Sequence, residues 1–301
     1  MLIEKINLWN DNEDVTLTAY ILDNEHETRL KKRPTIIICP GGGFLYTSNR
    51  EAEPIAMKFA GEGYNTFVLR YTTYFNSGKV DFNNLPDGNR QAKYPQPLFD
   101  LARAILTVRE NADKWAVDNN KIFVCGFSAG GYLAASLGVH WQDELLKEKF
   151  NVNSDLFKPN GMILGYPLLD NILMKELLLE VNDKSLEQYW RLSCYSLSGE
   201  SEPSDEYLKK LSPVNHVCQN TPPTFMWHTA NDELVSVRNS INFATELSKN
   251  KIPYELHIFE AGSHGLALCN EVTAKDETQI KPEVQVWFDM ALTWLKAQVK
   301  K

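Results

Sequence analysis

The chain reads as an α/β protein: a mostly parallel central sheet, helices on both faces, and a small helical cap inserted late. Three observations predict this. From about residue 35 onward, short apolar β-branched runs alternate with stretches of helical periodicity, the rhythm that builds parallel sheets. A Gly-Phe-Ser-Ala-Gly pentapeptide, Gly126 to Gly130, stands between one such run and a small-residue helical stretch. One long segment, about 167–213, interrupts the rhythm between two strands. With 301 residues and 43% apolar composition, a single domain over 1–301 can bury a sizeable core without staples.

The elements follow in order. Lys5 to Trp9 and Val15 to Leu22 suggest an opening antiparallel pair, the second strand alternating in character. Thr35 to Cys39 is a continuous β-branched run, as expected of a strand covered on both faces. Ala52 to Gly61 carries helical periodicity and stops at Gly61-Glu62-Gly63; Thr66 to Leu69 is the next strand. Phe99 to Ala112 forms a helix with Leu101, Ile105, Leu106 and Val108 on its apolar face. Lys121 to Cys125 is a buried strand, and Gly131 to Leu137 begins a helix rich in small residues. Met162 to Tyr166, Thr224 to His228 and Tyr254 to Phe259 are further strands; Ser240 to Leu247 and Pro282 to Val299 are helices. Two stretches break the pattern: a polar, aromatic-spotted loop from Thr72 to Tyr94, and the insertion from Pro167 to Pro213, expected as a cap over the site.

Composition narrows the function classes. Thirty-one basic against 39 acidic residues give a net charge of −8, which disfavours a polyanion such as nucleic acid as partner. The five cysteines, Cys39, Cys125, Cys194, Cys218 and Cys269, are scattered and lack metal-ligand spacing, so neither a disulfide framework nor a zinc site is expected. The first residues turn polar at once and no apolar run approaches a membrane span, so a cytoplasmic protein without metal or other cofactor is expected.

The chemistry-bearing residues lie where strands end. A serine on a sharp strand-to-helix turn is held in a strained conformation with its hydroxyl exposed, and only residues without bulk fit two positions to either side. Ser128 between Gly126 and Gly130 meets that requirement. The pentapeptide alone would arise by chance in roughly one chain of this length in ten, so its partners decide. In an open parallel sheet, ligands bind beyond the carboxyl ends of the strands. Asp232 stands just past Thr224 to His228, with Asn231 and Glu233 as neighbouring competitors, and His264 stands in a Gly-bracketed loop past Tyr254 to Phe259. A serine hydroxyl becomes nucleophilic only when a base takes its proton; His264 can be that base, and Asp232 can fix its tautomer. Of the other histidines, His228 and His257 sit within strands and read as structural, while His26, His140 and His216 follow no suitable strand.

Three successive glycines, Gly41-Gly42-Gly43, follow the first buried strand. They let backbone N–H groups approach a bound carbonyl closely, so Gly42 and Gly43, with Ala129 after the serine, are candidate oxyanion donors. No Gly-Lys-Ser/Thr ends the run, which excludes a phosphate loop. Phe44, Tyr166 and Trp190 are candidate substrate contacts, with Tyr46, Tyr74 and Tyr189 also on loops or the cap.

Taken together these residues resemble the esterase/lipase group of the α/β-hydrolase superfamily. Pro40-Gly41-Gly42-Gly43-Phe44 resembles that group's His-Gly-Gly-Gly segment, and Gly126 to Ala135 matches its nucleophile elbow. Asp100 to Arg109, Asn111-Ala112 and Trp115 to Ile122 resemble the helix and strand leading into the elbow. Within the group the chain is most similar to bacterial acetylxylan-esterase-like proteins. The resemblance implies the hydrolase fold, an acyl-enzyme mechanism and deacetylation of acylated sugars. The chain departs at Pro40, where the group has histidine, and proline supplies neither side-chain nor backbone donor. An amidase or peptidase (formamidase- or dipeptidyl-peptidase-like) using the same triad, and a non-catalytic binding protein, stay open as alternatives, as does a homo-oligomer formed through the apolar cap.

Overall fold

The computed structural model describes residues 1–23, 31–75, 88–178 and 183–300. His26, most of the loop expected at 72–94 and part of the expected cap lie outside the described residues.

Eight strands form one sheet: β1 (Leu2–Trp9), β2 (Asn12–Ile21), β3 (Arg33–Cys39), β4 (Asn65–Arg70), β5 (Val117–Phe127), β6 (Gly161–Gly165), β7 (Thr224–Thr229) and β8 (Tyr254–Phe259). The spatial order is β1-β2-β4-β3-β5-β6-β7-β8. β2 pairs antiparallel with β1 and β4; every pairing from β4 to β8 is parallel. The helices are α1 (Glu53–Gly61), α2 (Gln96–Glu110), α3 (Ala129–His140), α4 (Glu144–Phe150), α5 (Asn171–Leu178), α6 (Lys184–Ser198), α7 (Asp205–Leu211), α8 (Arg238–Lys249), α9 (Pro282–Gln285) and α10 (Trp287–Val299). The expected α/β class and mostly parallel sheet are present.

The apolar runs split by parity, because successive strand side chains point to opposite faces. Ile37, Ile122, Val124, Met162, Leu164 and Met226 pack on one face with Leu101 and Ile105 of α2, Leu133 and Leu137 of α3 and Phe243 of α8. Ile36, Ile38, Phe123, Cys125, Ile163, Phe225 and Trp227 pack on the other with Ile55 and Phe59 of α1 and Trp287 and Leu295 of α10. On that second face Trp227 and Trp287 stack with centroids 5.0 Å apart and planes 15° off parallel, worth about 0.5–1.5 kcal/mol beyond the area they bury.

One helix differs from expectation. The periodic stretch Pro282 to Val299 is two helices, not one, parting at Val286, whose ψ is −13°. There Trp287 Nε1 donates to the Ala267 carbonyl at 3.0 Å, anchoring the start of α10 to the loop that carries His264.

Register decides what meets at the carboxyl edge. Cys39 of β3 lies beside Gly126 of β5, Gly165 beside Trp227, and Thr229 beside Phe259. The loops after β3, β5, β7 and β8 therefore leave the sheet side by side. Helices α5, α6 and α7 fill the interval between β6 and β7. They are tied down there: Ser196 Oγ donates to the Phe44 carbonyl at 2.9 Å, Trp190 Nε1 to the Leu234 carbonyl at 3.2 Å, and Tyr132 Oη to the Leu211 carbonyl. No helix among the described residues is long and apolar enough to cross a membrane.

Candidate active site

The turn after β5 holds Ser128 at φ 53°, ψ −118°, a region a residue with a side chain seldom occupies. The flanking glycines make that turn feasible. A Cβ on Gly126 would stand 2.1 Å from the Gly130 carbonyl oxygen, and one on Gly130 would stand 2.0 Å from the Cys39 carbonyl oxygen. Strand, turn and helix are thus packed too closely for any side chain at either position. The Ser128 N–H donates to Gly165 O at 3.0 Å and its carbonyl accepts from Tyr132 N–H, which locks the turn from both sides.

His264 Nε2 lies 2.8 Å from Ser128 Oγ, and His264 Nδ1 lies 2.7 Å from Asp232 Oδ2. A carboxylate can only accept, so Nδ1 carries the proton and Nε2 presents its lone pair to the hydroxyl. Asp232 is buried; its Oδ1 accepts the N–H groups of Leu234 at 3.0 Å and Val235 at 2.9 Å. His228, fully buried, comes within 3.3 Å of Asp232 Oδ2 through Nε2, which also donates to Val235 O at 2.9 Å, while its Nδ1 meets Ser240 Oγ at 2.8 Å. Burial alone would raise the Asp232 pKa. The charge of His264 and the hydrogen bonds from His228 and His264 outweigh it and hold the carboxyl well below the usual carboxylate range.

The three glycines turn sharply under this cluster. Gly42 has φ 129° and Gly43 φ 63°. Their Cβ atoms would fall 2.1 Å from Tyr46 O and 2.4 Å from Tyr189 Oη. Gly41 N–H is already used, donating to Glu51 Oε2 at 2.8 Å. Among the described residues, the N–H groups of Gly42, Gly43 and Ala129 have no acceptor. Glu51 is buried, and its other oxygen accepts from Tyr166 Oη at 2.7 Å; that hydroxyl in turn accepts Ala267 N–H at 2.9 Å.

A cavity of about 490 Å³ opens over Ser128 and His264, walled by Gly42, Tyr46, Arg50, Tyr189, Leu234 and Lys275, among others. The aromatic residues expected at the substrate divide. Phe44 is buried between Tyr71 and Tyr132, with centroids at 6.0 and 5.3 Å. Tyr166 is buried with its ring edge against His264, centroids 5.0 Å apart. Trp190 lines a separate cavity of about 280 Å³ with Met174 and Leu178, also bordered by Leu234. None of these three lines the cavity at Ser128, whereas Tyr46 and Tyr189 do. Glu51, His228, Arg50 and Lys275 carried no sequence signal: Glu51 opens no periodic pattern, and His228 is indistinguishable from a core histidine until its partner is seen.

The fold is that of the α/β-hydrolase class. Residues 22–247 match the family model BD-FAE, and the chain belongs to that family. It is 32% identical over 275 residues to endo-1,4-beta-xylanase B of Butyrivibrio fibrisolvens, covering 88% of this chain and 38% of that protein. It is 26% identical to the acetylxylan esterase of Xylanibacter ruminicola, covering 76% of this chain and 40% of that protein. The chain thus spans about two fifths of the length of these relatives. Among solved structures it resembles the acetyl ester-xyloside bifunctional hydrolase from Caldicellulosiruptor lactoaceticus, with TM-score 0.73, 32% identity and coverage of 98% of this chain and 96% of that one. The carboxylesterase Cest-2923 from Lactobacillus plantarum WCFS1 superposes with TM-score 0.77 at 30% identity, covering 99% and 98%.

Proposed function

We propose that this chain is a serine carboxylesterase that hydrolyses short-chain acyl esters, acetyl esters foremost, carried by sugars. The observation that carries the reading is the continuous relay from Ser128 Oγ to His264 at 2.8 Å and on to Asp232 at 2.7 Å, set beside three backbone N–H groups that have no acceptor among the described residues. In this reading Ser128 Oγ attacks the ester carbonyl and its proton passes to His264 Nε2. The carbonyl oxygen, now an anion, is received by the N–H groups of Gly42, Gly43 and Ala129. Collapse breaks the ester C–O bond, and the His264 proton leaves with the alcohol. Water, deprotonated by His264, then releases the acid and restores Ser128. Asp232, anchored by two N–H groups and kept ionised, stabilises the imidazolium throughout.

The sugar part of the reading draws on the polar cavity wall and on the similarity to an acetylxylan esterase and an acetyl ester-xyloside hydrolase. Residues 1–301 act here as one domain, with 167–213 as a cap over the cavity through Tyr189, in a cytoplasmic setting. The test is hydrolysis of p-nitrophenyl acetate and acetylated xylo-oligosaccharides, with a fluorophosphonate probe reporting on Ser128. Ser128→Ala should lower kcat by roughly 10⁴- to 10⁶-fold and abolish labelling. Equal rates in wild type and Ser128→Ala would sink the reading; higher efficiency on formyl-amides or aminoacyl-anilides than on acetyl esters would move it to an amidase.

A further inference from the structure

Arg50 precedes Glu51 in a short helical turn ahead of α1 and lines the cavity at Ser128. Its Nε donates to the Thr273 carbonyl and its Nη2 to Gln279 Oε1 at 2.6 Å, which fixes the plane of the guanidinium. Nη1 lies 4.0 Å from where a Cβ on Gly265 would stand, next to His264. Lys275, from the same 273–279 stretch, lines the same cavity; its N–H is held by Gln279 Oε1 at 3.0 Å and its side chain is exposed. Among the described residues neither cation is within direct ion-pair distance of a carboxylate. The acid in the wall is directed at other donors: Glu51 accepts from Gly41 N–H through one oxygen and from Tyr166 Oη through the other. Asp276, next to Lys275, accepts the N–H and hydroxyl of Thr278 on Oδ1; those bonds first, and then the charges of Lys275 and Arg50, hold its carboxyl below the usual range. A partly buried guanidinium without a carboxylate is costly, and its best partner is a carboxylate or phosphate met in plane. Uncharged polar residues, Thr47, Ser48 and Asn49, line the same wall beside the apolar Leu234. In a chain of net charge −8, a wall that sets two cations, Arg50 and Lys275, against one acid, Glu51, is locally positive.

We propose that the cavity takes esters whose alcohol part is an anionic sugar, its carboxylate or phosphate group received by Arg50 and Lys275 while the acyl carbon reaches Ser128. This rests on the esterase reading of the site, and the experiment separates the two. Three substrates bearing an acetyl on the same hydroxyl are compared: O-acetyl glucose, O-acetyl glucuronate and O-acetyl glucose 6-phosphate. One or both anionic esters should exceed the neutral one in kcat/KM by about tenfold or more at low salt. That margin should shrink near 1 M salt, where the screening length falls to about 3 Å. Lys275→Glu should lower the anionic-to-neutral ratio by about tenfold, and Arg50→Gln should lower it as well. The ratio is indifferent to how much of a variant is folded, and the exposed Lys275 supplies the reading if Arg50→Gln does not fold. Which anionic ester leads identifies carboxylate or phosphate. Equal efficiency on all three, or a ratio unmoved by Lys275→Glu, overturns this inference and leaves the esterase standing; hydrolysis of none overturns both.

Discussion

The Glu51 carboxylate accepts the Gly41 N–H at 2.8 Å, joining a buried acid to the first glycine of the loop beneath Ser128. Its second oxygen holds Tyr166 Oη at 2.7 Å, and that hydroxyl holds the Ala267 N–H, three residues past His264. One carboxylate thereby spans the glycine loop and the histidine loop. It ties down the turn that follows Pro40, a residue with no donor of its own. Glu51→Ala should release the loop and lower kcat by about 10²-fold, the cost of misplacing reacting groups by about 1 Å. KM should change less, because the Glu51 oxygens are engaged by Gly41 and Tyr166 and act on the loop rather than on the substrate. Glu51→Gln can still accept one of the two donors and should recover part of the loss. A variant whose melting temperature falls while kcat holds would reduce Glu51 to a structural role.

His228 supports Asp232 from behind, at 3.3 Å from the oxygen that also faces His264. Its other contacts, to Val235 O and Ser240 Oγ, orient the ring so that Nε2 carries the proton. His228→Phe keeps the ring volume and removes the donor, leaving Asp232 with less to hold it ionised and in place. The expected outcome is a fall in kcat of about tenfold to a hundredfold, in the range found when groups that orient a first contact are removed. Steady-state kinetics on p-nitrophenyl acetate measure it; an unchanged kcat would make His228 core packing alone.

These two residues mark where the sequence stops being readable. The strands were legible because a run such as Ile36 to Cys39 is covered on both faces and so is apolar at every position. Ser128, Asp232 and His264 were placed near one another by the rule that strand ends share an edge, and the parallel register of β5 to β8 brings them within hydrogen-bond reach. The rule says which loops meet and nothing about which side chains cross between them. Phe44 illustrates this: on a loop beside the glycines, its φ of 59° turns it inward against Tyr132. Glu51 and Arg50 are the converse, ordinary surface types by composition that the turn before α1 aims at the cavity.

Two glycine substitutions separate crowding from chain entropy. Gly130→Ala puts a Cβ 2.0 Å from a backbone oxygen of β3, and backbone cannot move aside as a side chain does. Stability should fall by at least about 1–3 kcal/mol, the usual cost of overpacking. Gly61→Ala, in the last turn of α1, meets nothing within 4 Å. Removing the glycine's unfolded-state freedom there should raise stability by about 0.4–1 kcal/mol. Urea unfolding of both variants checks the pair; a Gly130→Ala protein as stable as wild type would contradict the close approach of α3 to β3.

Asp232→Asn tests the relay and its titration together. An amide facing His264 Nδ1 offers an N–H where an acceptor is needed, so the imidazole turns its proton toward Ser128 and kcat should fall by about 10⁴-fold. The stability effect has a definite sign. The folded pKa of Asp232 is depressed, against about 3.9 in the unfolded chain, so between those values the unfolded state binds more protons. Its contribution is complete above about pH 5 and is lost as pH falls through the folded value. Wild type should therefore lose melting temperature more steeply than Asp232→Asn on acidification below about pH 5, the remaining carboxylates being common to both. Parallel curves would mean that Asp232 titrates alike in the folded and unfolded chain, and that His228 and His264 do not hold its charge.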